Sequence, residues 1–205
     1  MNAGPTAERV YDALKQAIME RAFRPGERLD PAVLADELAA SATPVREALD
    51  RLVGEDLVES RTGSGFFLPA LDEPGLRDMY AWSSELLALA LRGWARENDT
   101  AASERSEKTD DQPSVAQRTA RLFAAIAERS SNREHTRAVT RLSARIHAVR
   151  TVEPLVLATD THELEPIEAA LKAGDRAALR QSIAAYHRRR IRAAAVIVRA
   201  LYRAS

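Results

Sequence analysis

Cysteine is absent from all 205 residues, which excludes disulfides and points to a reducing, intracellular setting. No apolar run approaches the roughly 18 residues that a membrane span needs, so no membrane partner is expected. The start, MNAGPTAERVYDAL, lacks the basic and apolar segments of a secretory signal; the expected location is the cytoplasm. Aromatic residues make up only 5% against 45% hydrophobic residues. A core short of aromatics must pack through Ala, Leu, Val and Ile, which favours helices over a β-sandwich. A surplus of either charge is also missing, with 30 basic and 30 acidic residues. Residues 1–70 carry 8 Lys and Arg against 12 Asp and Glu, a net of about −4. Binding to nucleic acid cannot follow from overall charge and must rest on where particular side chains sit.

What is present is an ordered set of helix and turn signals. A first helix is expected from about Thr6 to Arg21, with Val10, Leu14, Ala17 and Ile18 on one face. It stops before Phe23-Arg24-Pro25-Gly26, where Pro-Gly marks a turn. Asp30-Pro31 opens a second helix, the carboxylate as cap and the proline in the first turn. Leu34 and Leu38 form its inward face. Ser41-Ala42-Thr43-Pro44 repeats the signal, and a third helix follows to about Gly54 with Val45, Ala48, Leu49 and Leu52 inward. Two β-prone runs, Leu57–Ser60 and Phe66–Leu68, flank the polar loop Arg61-Thr62-Gly63-Ser64-Gly65 and predict a hairpin. Helix, helix, helix, hairpin is the order of a winged helix-turn-helix. From Leu71 the chain is expected to be all-helical, in segments 76–96, 115–128, 136–149, 164–172 and 177–204, an antiparallel bundle. The polar stretch 97–113 is expected to be a loop. The expected domains are 1–70, which binds DNA, and 71–205, which dimerises and binds an effector.

The inward stripe of the third helix leaves Ala42, Thr43, Arg46, Glu47 and Asp50 facing out. Ser41 and Thr43 at its start can reach phosphate oxygens through hydroxyls and backbone amides. Arg46 is the outward residue able to grip a guanine edge with two hydrogen bonds. A small Gly63-Ser64-Gly65 tip suits close approach to a DNA backbone, and Arg61 at its base can pair with phosphate. Taken singly, each of these residues also fits a solvated helix or an ordinary turn.

Residues 8–68 resemble the GntR family of bacterial repressors. The resemblance is carried by Pro25-Gly26-Glu27-Arg28-Leu29 and Thr43-Pro44-Val45-Arg46-Glu47-Ala48-Leu49, with Leu52, Leu57-Val58 and the Gly63/Gly65 wing at family spacing. It implies that Thr43 and Arg46 hold the operator and that the wing glycine Gly65 lies close to the adjacent groove; the full set expected at the DNA is Arg28, Ser41, Ala42, Thr43, Pro44, Arg46, Glu47, Asp50, Arg61, Ser64 and Gly65. Two positions depart from the family pattern. Ala42 stands where the family usually has Arg, and Asp50 where it often has another. Each change removes a phosphate or base contact, and Asp50 can compete for the Arg46 guanidinium.

The resemblance further implies that the C-terminal part is the helical type called FCD, which binds small, often acidic metabolites and dimerises. In many members one Asp and three His hold a divalent metal. All four histidines here, His135, His147, His162 and His187, lie in that part. Only His147 falls in register: the usual Asp is Ser143, the second metal His is Leu164, and the third is Tyr186. His187, one residue later, is rotated by about 100° on a helix. No metal is therefore expected; if one binds, its ligands come from His147, His162 and His187. A metal-free acidic effector is assigned to Arg141, Arg145, His147, Tyr186, Arg189 and Arg190. Alternatively, HRRRIR at 187–192 is a solvated or DNA-adjacent basic face. The expected protein is a dimeric, effector-responsive repressor on an inverted-repeat operator in double-stranded DNA. The alternatives are a metal-centred His enzyme bearing a DNA-binding domain and an architectural DNA-binding protein without a ligand. No HExxH, nucleophile elbow or phosphate loop supports the enzyme.

Overall fold

Apolar residues spaced three and four apart bury one side of each helix, and capping groups mark where the helices begin. A computed structural model of the chain describes residues 5–94, 113–157 and 161–203. The expected loop at 97–113 lies, apart from Pro113, outside the described residues. The elements are α1 (Pro5–Met19), β1 (Arg28–Leu29), α2 (Pro31–Glu37), α3 (Ala42–Gly54), β2 (Glu59–Arg61) and β3 (Gly65–Phe67). They are followed by α4 (Glu73–Arg92), α5 (Val115–Glu128), α6 (Arg133–Leu157), a 3-10 turn (Thr161–Leu164), α7 (Glu165–Ala173) and α8 (Arg176–Arg203). The chain divides into two compact units, Met1–Leu71 with Leu201–Ser205, and Asp72–Ala200.

In the first unit Asp30 caps α2 by accepting a 2.9 Å bond from the Ala32 amide, with Pro31 in the first turn. α1 packs on α3 and α2 packs on α3, burying Val10, Leu14 and Ile18 with Leu34, Val45, Ala48, Leu49 and Leu52. Polar side chains flank the α1–α3 seam. Glu55 accepts from Tyr11 Oη and, at 2.6 Å, from Lys15 Nζ, while Arg51 reaches Glu8 at 2.8 Å and lies over the Tyr11 ring. Burial raises the proton affinity of Glu55, but the bonds from Lys15 and Tyr11 outweigh it and hold its carboxyl below the ordinary value. The hairpin β2–β3 pairs Glu59 with Phe67 and Arg61 with Gly65. A third strand, unforeseen from the sequence, completes the sheet in the order β1-β3-β2, with Arg28 opposite Phe67. Two residues are too few to show an alternating pattern.

In the second unit Asp72 caps α4 and Ser114 caps α5, the latter with Gln117 returning the bond. α6 packs on both α4 and α5. It also continues eight residues past the expected end at Val149, through Pro154. Proline lacks only the amide that would reach the Arg150 carbonyl, while Val152 and Leu157 gain burial in the added turns. No helix among the described residues is long and apolar enough to cross a membrane.

The basic run His187–Arg192 is not a uniformly solvated face. His187 and Arg190, three apart on α8, both point inward and are buried, whereas Arg188, Arg189 and Arg192 are exposed. Arg190 donates from Nε to Glu153 Oε2 at 2.8 Å, and from Nη1 and Nη2 to the two oxygens of Glu163 at 2.9 Å each. Glu153 Oε1 accepts from Tyr80 Oη. One carboxylate on α6 thus holds α4 and α8.

Replacing Arg190 with leucine would leave Glu153 buried without its cation, at a cost of about 3–5 kcal/mol. Urea unfolding should show that loss, and the double variant Arg190→Leu/Glu153→Leu should lose less than Arg190→Leu alone. A single-variant loss below about 1 kcal/mol would mean that the pair does not tie the helices.

Candidate nucleic-acid interface

α3 turns one face into the core and the other to solvent. Val45, Ala48, Leu49 and Leu52 are buried; Ser41, Thr43, Arg46, Glu47 and Asp50 are exposed, and Ala42 and Pro44 are half-buried. Ser41 sits at the N-cap in an extended conformation, yet its hydroxyl makes no capping bond. That leaves the hydroxyl and the first-turn amides directed outward, where a phosphate would find donors. Arg46 forms no ion pair among the described residues, and the competing pair with Asp50 is not made. Its guanidinium keeps its whole donor set for an external acceptor.

The wing adds a second outward group. Gly63 and Gly65 have φ of +72° and +96°, values that a side chain with Cβ rarely tolerates. The turn between them presents Ser64 to solvent. Arg61 at the base is engaged: it bonds Glu59 at 3.1 Å and lies over the Phe67 ring at 4.3 Å. Arg28 was legible as part of a motif but not as part of the wing. The β1–β3 pairing brings it beside Gly65, where an added Cβ would lie 3.8 Å from its Nε. Arg28 is exposed and only loosely held by Asp30 at 3.9 Å.

The six residues assigned to an effector do not gather at one place. Arg141 and Arg145 share the exposed face of α6, whereas His147 is on its buried side. Arg190 is committed to Glu153 and Glu163. Arg189 bonds the Leu157 carbonyl and lies 3.4 Å from Glu163. With Arg188 and Arg192 it lines an open surface cleft of about 490 Å³. Tyr186 is buried and packs edge-on to Phe123 at 5.3 Å. Burial, reinforced by Glu153, pushes its hydroxyl up to about 12, so it stays a donor at any working pH.

The histidines do not converge. His162 is exposed against Glu165, and His135 meets the Ser130 hydroxyl at 2.8 Å. His187 faces the Ile183 carbonyl through Nδ1 at 2.8 Å and Ser83 Oγ through Nε2 at 3.0 Å. A carbonyl can only accept, so Nδ1 carries the proton and Nε2 accepts from the serine. Both nitrogens are occupied and the ring is stacked on Phe123. Ser143, Leu164 and Tyr186, the other positions of the metal register, are buried but supply no imidazole or carboxylate. No group of three His, Asp or Glu among the described residues suits a metal ion. The donor set does not fit the metal that the FCD resemblance implies.

Comparison with known proteins bears on the first unit most directly. Residues 6–68 match the family described as bacterial regulatory proteins, gntR family. The Nta operon transcriptional regulator of Aminobacter aminovorans is 41% identical over 70 residues, 34% of this chain and 33% of that protein. The HTH-type transcriptional regulator McbR of Escherichia coli is 36% identical over 84 residues, 40% of this chain and 38% of that protein. The matched span is thus about a third of one relative and under two fifths of the other. Both are regulators of transcription. Among solved structures, a GntR transcriptional regulator from Rhodococcus sp. RHA1 superposes with a TM-score of 0.71 at 19% identity, over 93% of this chain and 96% of that one. At that identity the likeness concerns fold alone. Escherichia coli McbR/YncC gives 0.61 at 25% identity, over 94% and 98%. The fold is a winged helix-turn-helix with a helical C-terminal part, as in these regulators.

Burial drives the imidazole of His187 down to about 3, and burial with the nearby Arg150 charge also lowers His147. The unfolded chain takes up protons on these two histidines near pH 6.5, whereas in the folded chain they are taken up only at lower pH. Their contribution to stability is therefore full above pH 6.5 and falls as pH drops toward 3, by up to about 1.4 kcal/mol per pH unit for His187. His187→Gln should flatten the loss of stability between pH 6.5 and 5 measured by urea unfolding. An unchanged slope would mean that the folded chain protonates this ring.

Proposed function

With residues 6–68 a domain of the gntR family of bacterial regulatory proteins, we propose that this chain is a DNA-binding transcriptional regulator of the cytoplasm, a homodimeric repressor released by a small acidic metabolite. Residues 1–70 would bind the operator and 71–205 would dimerise and hold the metabolite. The observation that carries the DNA reading is the exposed face of α3, with Ser41, Thr43 and an unpaired Arg46. The amphipathic packing of α3 on α1 leaves that face as the part able to enter a major groove.

Arg46 reads bases on this view; Ser41, Thr43, Arg28 and Ser64 position the backbone, and Ala42, Pro44 and Gly65 allow close approach. Glu47 and Asp50 oppose phosphate and select against misplaced contacts. With a net charge of about −4 over residues 1–70, one copy binds weakly and two copies on an inverted repeat gain by avidity. The exposed apolar side chains of the helical unit, Trp82 and Val196 among them, support a second copy as the partner there.

Sequences enriched from a random DNA pool by the full chain should form an inverted repeat with half-sites about one helical turn apart. Arg46→Ala should weaken binding to that repeat by about 5–150-fold per half-site and erase the footprint. Unchanged protection would refute the role of α3.

Asp50→Arg should tighten the same complex and steepen its salt dependence by about 0.9 in log–log slope for each half-site. A looser complex would show that the Asp50 carboxylate makes a necessary contact.

A further inference from the structure

Two arginines of the basic run on α8 have no part in the buried frame. Arg188 and Arg192, four residues apart, are exposed and neighbours on one face of the helix. Neither forms an ion pair or a hydrogen bond among the described residues. Like charges at this spacing repel each other, so the pair weakens the helix unless an anion answers it. Arg189 is differently placed: it donates to the Leu157 carbonyl at the end of α6 and lies 3.4 Å from Glu163. Glu163 gives both its oxygens to Arg190 at 2.9 Å each, and Glu153 is taken by Arg190 and Tyr80. Arg188, Arg189, Arg190 and Arg192 thus meet two carboxylates among the described residues. Two positive charges are left over on the outer side of α8.

These charges border a hollow. Arg188, Arg189 and Arg192 line the open cleft of about 490 Å³ together with Leu157, Ala185 and Ala193. Small-molecule sites have volumes of roughly 300–1,000 Å³. The two alanines stand three or four residues from the arginines along α8, and their methyl groups keep the helix surface low beside the guanidinium groups. Leu157 adds hydrocarbon from α6, whose last turn also exposes Leu155 and Val156. Such a lining suits an anionic head joined to an apolar body. A carboxylate would cancel one of the two surplus charges. A phosphomonoester carries about two near pH 7 and offers three acceptor oxygens, enough to bridge the forked donors of several arginines.

We propose that this surface cleft binds the phosphate of a small phosphomonoester. Arg188 and Arg192 grip the phosphate, Arg189 is the cation fixed beforehand by the Leu157 carbonyl, and the carbon part of the ligand lies against Leu157, Ala185 and Ala193. The site is open to solvent and separate from the buried frame of Glu153 and Arg190. It rests neither on the DNA-binding reading nor on that of a released repressor. Because water reaches the cleft, added salt screens the attraction and weakens the complex.

Titration calorimetry on the full chain with phenyl phosphate as probe tests the site, with phenyl sulfate as the singly charged analogue at equal ionic strength. Phenyl phosphate should bind saturably at pH 7.5 and about fivefold or more tighter than phenyl sulfate. Its affinity should drop about threefold or more between pH 7.5 and 5.5, as the second phosphate proton returns, while phenyl sulfate stays level. Arg188→Gln and Arg192→Gln, both at exposed positions, should each weaken phenyl phosphate about tenfold without changing the melting temperature. Arg180→Gln, exposed on α8 but outside the cleft, should leave binding as it was. Absence of saturable binding up to about 10 mM, or an equal loss in Arg180→Gln, would overturn the proposal. So would displacement of phenyl phosphate by a duplex lacking the operator, which would make this face a contact for DNA phosphodiesters. Each of these results leaves the Arg46 footprint untouched.

Discussion

Glu153 is the point on which the helical unit turns. It accepts from Tyr80 on α4 and from Arg190 on α8 while itself belonging to α6, and both charged partners are only 1% exposed at the side chain. A pair buried this deeply gains little net stability over apolar side chains of the same volume. Its effect is on arrangement. A rotation of α8 by one residue would bring Arg189 inward, strand Glu153 and expose Arg190, so one register of the three helices is favoured over its neighbours. His187, one turn before Arg190, is fixed by the same register, and its bond to Ser83 repeats the α8–α4 tie with neutral groups.

The DNA-binding unit solves a different problem with weaker interactions. α3 must keep its inner face buried while the outer face remains unencumbered. Apolar contacts with α1 and α2 provide most of the stabilisation, since a fully buried Leu or Val is worth about 1.5–3 kcal/mol. The flanking ion pairs, Arg51 with Glu8 and Lys15 with Glu55, are partly exposed, and such pairs contribute about 0–1 kcal/mol. Their consequence is elsewhere: they occupy Arg51 and Lys15 on the seam. Arg46, without an acidic neighbour in contact, is left as the cation of α3 that can respond to DNA.

Much of this first unit was legible in the sequence because its signals are local. Asp30 before Pro31, the inward spacing of Val45, Ala48, Leu49 and Leu52, and glycines at 63 and 65 each act within a few residues. β1 escaped notice because Arg28-Leu29 becomes a strand only through pairing with Phe66 and Phe67, far along the chain. The helical unit was harder for the same reason. Arg150, Glu153 and Pro154 fall past the expected helix end at Val149, yet Glu153 answers a side chain 37 residues away. The run at 187–192 read as a solvated face because its acidic partners lie 27 and 37 residues earlier. Charge pattern along a segment does not disclose which residue is inward; apolar spacing does, and in α8 Ile183, Ala194 and Ile197 mark the stripe on which His187 and Arg190 fall.

The contrast between the two buried arginines gives the interior its direction. Arg190 is answered on both edges by carboxylates of the chain, so it can be a permanent part of the frame. Arg150 is as deeply buried, yet its Nε and Nη1 make no hydrogen bond, and the Phe123 ring 5.3 Å from its guanidinium carbon supplies only a π face. A frame that needed a second structural cation would have placed an acid within reach, as it did for Arg190.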